Sequence, residues 1–270
     1  MKKKFLALFL SMTLAFSMTA CGGSSDGNSS QKTADSDKAA IQDKGKLVVG
    51  VTDFEPMDYK DDSGDWIGFD ADMAKAFAKE LGVDAEFMEI DWDNKILELD
   101  GETIDCVWNG MTLTDEVTSA MDCSNAYCNN AQIVIVPAKD ADKYQDEESI
   151  KDLNFAVEAG SAGAEQAKEH GLKYTEVASQ ANALMEVAAG TSDAAIIDSL
   201  MAAAMVGEGT SYADLTYTVE LNSEEYGVGF RKGSDLKDEL NAFLKKSYDD
   251  GSMKEIAEKY GVQVALSEQK

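Results

Sequence analysis

Residues 46–57 read KLVVGVTDFEPM and residues 68–82 read GFDADMAKAFAKELG, and these two segments decide the fold. The first is a β-branched run, Lys46–Val51, that ends in a turn around Glu55-Pro56. In the second, Asp70 stands where a helix N-cap belongs. Met73, Phe77 and Leu81 then recur at four-residue spacing along one face, and Gly82 is placed as the C-terminal cap. The pair therefore predicts a strand followed by an amphipathic helix.

The same alternation continues along the chain. Ala85, Phe87 and Met88–Ile90 read as a strand, Ile96 and Leu99 as a helix face, and Ile104–Trp108 and Gln132–Val136 as further strands. Phe155–Val157, Tyr174–Val177 and Ala194–Ile197 are strands separated by helices that end near Gly171 and Gly190. Leu236, Leu240, Phe243 and Leu244 share one final helix, and Met253, Ile256 and Tyr260 another. Strands alternating with helices predict mainly parallel sheets with helices on their faces. In such sheets ligands sit beyond the carboxyl ends of the strands.

Composition removes several function classes. The chain has 270 residues, 44% of them hydrophobic, with 24 Lys+Arg against 51 Asp+Glu and a net charge of −27. So acidic a chain is a poor partner for nucleic acid, which calls for a basic face. Arg231 is the single arginine and His170 the single histidine, so no imidazole pair exists to hold a metal. Cys21, Cys106, Cys123 and Cys128 fit neither a zinc spacing nor a redox CxxC motif. No cofactor is expected.

The amino terminus has a secretory pattern. Lys2, Lys3 and Lys4 precede an apolar run from Phe5 to Phe16, and Thr19-Ala20-Cys21 closes it. The run is short for a transmembrane helix. Residues 1–20 are read as a signal peptide. From Gly22 to about Lys44 small and polar residues dominate, with Ile41 the only large aliphatic, and residues 21–44 are read as a flexible tether.

At this point the residues carry a resemblance. The segment Lys46–Met57 resembles the first strand and loop of bacterial amino-acid-binding proteins of ABC importers, the family 3 extracellular solute-binding proteins. Gly68–Ala74 is similar to that family's GFDxDLA signature. Ile104–Thr114, Ser192–Asp198 and Tyr226–Lys232 are similar to its IDxxxxxxxxT, xDAxxxD and YGxxxRK segments. Cys21 resembles a lipobox cysteine. The five matches fall in order between about Lys46 and Val262.

The resemblance implies an α/β fold of two Rossmann-like lobes joined by two crossover strands, the type II periplasmic binding protein architecture. Lobe one would span 45–135 and 219–270, and lobe two 136–218. Ligand would lie in the cleft between them. The expected partners are an amino acid or related amine, an ABC transporter permease, and the membrane through a lipid on Cys21, which places the protein on the outer face of the cell membrane. A monomer without catalysis of its own is expected. A dehydratase-type enzyme on the same fold and an extracellular sensor domain are the alternatives.

Site residues follow from the same resemblance. Asp198 falls where the family's acid pairs with the ligand α-ammonium, although an Asp at a strand-to-helix junction is also a natural N-cap. Asn109, Gly110, Met111 and Thr112 occupy the loop that offers polar groups to the ammonium and carboxylate. Glu158 opens a glycine-bearing turn into a helix, where Ser161 and Ala162 match contact positions and free N–H groups suit a carboxylate. Phe54, Glu55 and Trp92 would form the side-chain end of the pocket, with Asp53 the competing loop residue. Acidic neighbours argue against deep burial of Trp92, and Trp108 reads as strand packing.

One departure stands out. The arginine that clamps the ligand carboxylate in relatives is replaced by Val117. Arg231 is expected on the surface of lobe one, which leaves backbone N–H groups or a lysine such as Lys95 for a carboxylate. With Glu55 and Glu158 near the pocket, this points toward a cationic or carboxylate-poor ligand. Cys106 reads as a buried hydrophobe, and Cys123 and Cys128 as either a disulfide or free thiols.

Overall fold

A computed structural model describes residues 36–270. The signal peptide, Cys21 and the first part of the expected tether lie outside the described residues. The chain runs through α1 (Asp37–Lys44), β1 (Lys46–Val51), the small hairpin β2 (Tyr59–Lys60) and β3 (Trp66–Ile67), α2 (Phe69–Leu81), β4 (Asp84–Glu89) and α3 (Lys95–Asp100). It continues with β5 (Cys106–Thr112), α4 (Asp115–Ala120), β6 (Asp122–Cys123), β7 (Cys128–Asn130) and β8 (Gln132–Pro137). There follow α5 (Glu147–Ile150), β9 (Asn154–Glu158), α6 (Ala162–Glu169), β10 (Lys173–Val177), α7 (Gln180–Ala189), β11 (Ala194–Asp198) and α8 (Ser199–Met205). The last elements are β12 (Leu215–Glu220), β13 (Glu224–Phe230), α9 (Leu236–Asp249) and α10 (Ser252–Tyr260).

These strands form two large sheets. The first has the order β4-β1-β5-β13-β6, with β7 also pairing β13; the second has the order β10-β9-β11-β8-β12. In each sheet three neighbouring strands are parallel, one strand (β13 or β8) pairs antiparallel with them, and the strands beyond pair antiparallel with that one. The sheets are therefore mixed rather than mainly parallel, because strands β8 and β13 turn back as the chain passes between sheets. Strand β1 is buried along almost its whole length, the pattern of a strand covered on both faces, whereas the edge strand β4 alternates. The chain crosses from the first sheet to the second at Ala131 and returns through Leu221–Ser223. The expected divisions at 135/136 and 218/219 fall inside β8 and β12, both of which pair wholly in the second sheet. A one-residue crossover leaves no loop signal to mark the boundary.

Helix α2 shows why its residues fold as they do. Met73, Phe77 and Leu81 are buried against the first sheet and Gly82 closes the helix in a left-handed conformation. Each such side chain contributes about 1.5–3 kcal/mol on burial. Asp70 is not the N-cap. Gly68 occupies that position without a side-chain bond, and Asp70 is buried, accepting from Gly110 N–H and the Tyr127 hydroxyl, both at 2.6 Å. An aspartate at the second position of the helix faces the sheet here, and burial left it to find partners there.

Residues 36–44 correct the reading of a tether through Lys44. They form a helix capped by Ser36, whose hydroxyl accepts from Ala39 N–H at 3.0 Å. Ile41 is 1% exposed within the core of the first sheet. Lys38 pairs with Glu239 at 2.8 Å, Asp37 with Arg231 at 3.1 Å, and Lys44 with the buried Asp105 at 2.6 Å. Composition alone underweighted one isoleucine with a docking surface. Arg231 is likewise not a free surface group: its guanidinium donates to the carbonyls of Leu99 and Ile104 at 3.3 and 2.8 Å.

Trp108 is fully buried between Phe77 and Tyr127, as strand packing requires. Cys106 is buried, and Cys123 and Cys128 are both free thiols. Among the described residues no helix is long and apolar enough to cross a membrane.

The docking of α1 makes a quantitative prediction. Ile41→Ala should lower the unfolding free energy in urea by about 2 kcal/mol or more, as expected for a core truncation. A midpoint unchanged from wild type would mean that residues 36–44 hang free after all.

Candidate ligand-binding site

The ends of β1, β5, β9 and β11 and the start of α6 converge on one cavity. Its residual volume is about 20 Å³, room for about one water. Ten of the residues singled out from sequence line it: Phe54, Trp92, Asn109, Gly110, Met111, Thr112, Glu158, Ser161, Ala162 and Asp198. Asp53 and Glu55 do not. They border neighbouring depressions beside Glu89. Phe54 alone of that loop turns inward, where its ring meets Tyr226 edge-on at 6.3 Å.

Several of these side chains are already committed within the protein. The Asn109 Oδ1 accepts from the Thr52 N–H at 3.0 Å and the Thr52 hydroxyl at 2.7 Å, while its Nδ2 donates to Asp58 Oδ2 at 2.8 Å. It thus staples β1 to β5 and offers the cavity its backbone. Gly110 has φ +52° and its N–H is taken by Asp70; a Cβ there would lie 2.4 Å from Phe54 Cε1. Thr112 donates to Glu224 Oε1 at 2.8 Å, and Ser161 caps α6 by accepting from Ala164 N–H at 3.2 Å. These residues shape the cavity more than they reach into it.

Asp198 is 3% exposed and does not cap α8 through its side chain. It accepts from Gln132 Nε2 at 2.9 Å and the Tyr226 hydroxyl at 2.8 Å, and also from Asn130 and Gln180. Burial, and then the charge of Glu224, push its carboxyl up to about 8. Glu158 is equally buried, its Oε1 has no hydrogen-bond partner, and burial followed by repulsion from Asp198 raises it to about 8. Each is a carboxyl that the empty protein prefers to keep neutral.

Lys95 is the one cation among the lining residues. It is 5% exposed; its ammonium donates to Gly160 O at 2.8 Å and lies 5.0 Å over the Trp92 ring. Trp92 is buried, at 8% exposure, because Asp91 and Asp93 on either side point outward. Burial pulls the Lys95 ammonium downward, against the attraction of Glu116, Glu158, Asp93 and Glu165. Glu116 and Glu165 also line the cavity, as does Val117. The lining thus sets four carboxyl groups against one lysine.

Gln180, Thr52, Glu116 and Glu165 were not legible as site residues. Gln180 lies 18 positions before Asp198 yet both donates to it and accepts its N–H at 2.8 Å. Nothing local marks such a contact; only the packing of α7 against β11 creates it.

Comparison with known proteins finds relatives over nearly the whole chain. The model of the bacterial extracellular solute-binding proteins, family 3, matches residues 47–263. The arginine-binding extracellular protein ArtP of Bacillus subtilis (strain 168) is 32% identical over 267 residues, covering 96% of this chain and 98% of that protein. The ABC transporter glutamine-binding protein GlnH of the same strain is 32% identical over 270 residues, covering 96% and 97%. A solved structure of an ancestral amino acid-binding protein, described as a precursor of cyclohexadienyl dehydratase, is similar with a TM-score of 0.77 at 34% identity, covering 83% of this chain and 99% of that one. All three are named as binding proteins.

The buried acids set a direction for stability against pH. An acid whose carboxyl is raised in the folded state holds a proton that the unfolded chain has already lost, so stability falls as pH rises between the two values. The ligand-free protein should therefore become less stable between about pH 5 and pH 8, by at most about 1.4 kcal/mol per pH unit for each such proton. Glu158→Gln should flatten that slope in a pH series of urea melts. A slope as steep in the variant would show that Glu158 is ionised when buried.

Proposed function

The chain belongs to the bacterial extracellular solute-binding proteins of family 3, and we propose that its own task is to capture a cationic amino acid and deliver it to an ABC importer. Its architecture is that of the type II periplasmic binding proteins, and it is a binding protein rather than an enzyme. The observation that carries the proposal is the cavity lining, in which Glu116, Glu158, Glu165 and Asp198 face Lys95 alone. A bound cation would offset the burial, and then the repulsion, that keep Asp198 and Glu158 protonated.

In this reading the two sheets are two lobes and the crossovers at Ala131 and Leu221–Ser223 are the hinge. The lobes part to admit the ligand and close over it. Asp198 receives the α-ammonium, and Glu158 with its acidic neighbours receives the side-chain cation. Lys95, with the N–H groups at the start of α6, takes the carboxylate in place of the arginine that Val117 replaces. Trp92 and Phe54 supply the apolar walls. The name of ArtP points the same way, whereas that of GlnH shows that the family also serves a neutral amino acid. Cys21, after signal cleavage, carries the lipid that holds the protein at the outer face of the membrane.

Calorimetry with arginine, agmatine, glutamine and glutamate tests the ligand class. Arginine should bind, and Asp198→Ala should abolish its binding. Lys95→Gln should weaken arginine about ten- to a hundredfold, the value of a charge-assisted hydrogen bond, and leave agmatine, which lacks the carboxylate, nearly unchanged. Tight binding of glutamate with arginine and agmatine inert would overturn the cationic reading.

Anchoring is tested separately. Cys21→Ala should fold normally and move from the membrane fraction to the medium. Retention at the wild-type level would mean that the attachment lies elsewhere.

A further inference from the structure

Asp198 is bound to more than its own sheet. It ends β11 in the second sheet, and Glu224 opens β13 in the first, just beyond the returning crossover. The two carboxyl groups share the same pair of amides from the outgoing crossover. Asn130 Nδ2 donates to Glu224 Oε1 at 2.7 Å and also to Asp198 Oδ1. Gln132 Nε2 lies 2.8 Å from Glu224 Oε1 and 2.9 Å from Asp198 Oδ1. The Tyr226 hydroxyl completes Asp198 Oδ1 at 2.8 Å, and Asn222 Nδ2 reaches Glu224 Oε2 at 2.9 Å. Every residue of this cluster lies on a crossover, or on a strand or helix next to one.

The shared amides hold the Asp198 and Glu224 carboxyl groups close together in a buried site. Two negative charges so placed repel each other with little water between them, which disfavours ionisation of both. The other titratable groups near the pair are Tyr226 on β13 and Glu158 at the end of β9. Lys95, the one cation among the described lining residues, acts on Glu158 and is not among the groups that shift Asp198.

We propose that Glu224 is a positioning residue that keeps a proton on Asp198 across the hinge until a ligand ammonium replaces it, so that binding an amine expels one proton to solvent. This rests on the reading of Asp198 as the ammonium acceptor. The balance is simple: the Asp198 carboxylic acid and a ligand ammonium give a carboxylate–ammonium pair and one released proton. The raised carboxyl of Asp198 agrees with this, since burial and the charge of Glu224 are its two largest causes. Capture thereby becomes pH-dependent, and the hinge cluster changes charge as the ligand arrives.

Glu224→Gln, which keeps the shape and removes the charge, tests the proposal in two arms. In ligand-free protein, the fall of stability with pH between 6 and 8 should become shallower by about one proton in the variant. An unchanged slope would overturn the proposal whatever the ligand. In the second arm, arginine is titrated calorimetrically in phosphate and in Tris at pH 7. Wild type should release about one proton more than the variant, and its affinity should rise with pH below pH 8. The variant should bind arginine more tightly than wild type at pH 6, the two converging at pH 9. A purely structural role for Glu224 predicts the reverse, weaker binding at every pH. Arginine binding by wild type without proton exchange would sink this inference and leave the function standing. Failure of wild type to bind arginine would count against the ligand class, while the ligand-free arm still decides where the proton sits.

Discussion

The burial of Asp198 between the two sheets is the constraint on which the rest of the site depends. A carboxyl removed from water costs several kcal/mol unless donors surround it. Here the donors come from both sheets and from helix α7: Gln180 and Gln132 on one side, Tyr226 and Asn130 on the other. Any motion that parts the sheets must exchange some of these bonds for water or ligand. On the proposed reading the acid is a binding group and a latch at once, and its protonation is tied to the geometry of the crossovers.

A second pair of buried acids underlies the same cleft. Asp70 holds the Gly110 N–H and the Tyr127 hydroxyl, and Asp58 takes the Asn109 amide. Burial raises both carboxyls, Asp70 to about 7. Their role is to fix the Asn109–Gly110 turn, whose backbone lines the cavity. Rigidity of this kind keeps a ligand loop in shape without offering it to the ligand. It also accounts for how Asn109 and Gly110 shape the cleft while their side-chain amide and N–H groups are already used.

On the proposed reading, the charge pattern of the cavity is what separates this chain from a generic zwitterion binder. An arginine clamp is absent at Val117, and Lys95 reaches the cavity from the start of α3. Lysine offers a compact charge rather than a planar fork, so it favours a carboxylate less specifically. Four acids around it make a field that a second positive charge on the ligand would satisfy. The overall excess of acidic residues contributes little here, since most of them face solvent.

The alternation of strands and helices, the ends of β9 and β11, and the positions of Glu158 and Asp198 were all legible in the sequence. They follow from hydrophobic periodicity and from short motifs, which are local. Three features were decided only by tertiary structure. Residues 36–44 fold as a helix because Ile41 finds a core contributed by distant elements. Asp53 and Glu55 turn away from the cavity while Phe54 between them turns in, a matter of which side the loop packs on. Glu224 and Gln180 meet Asp198 from 26 and 18 residues away, since its partners are set by sheet pairing and helix packing. A carboxylate's environment depends on what is brought against it, and one-dimensional order carries no record of that contact.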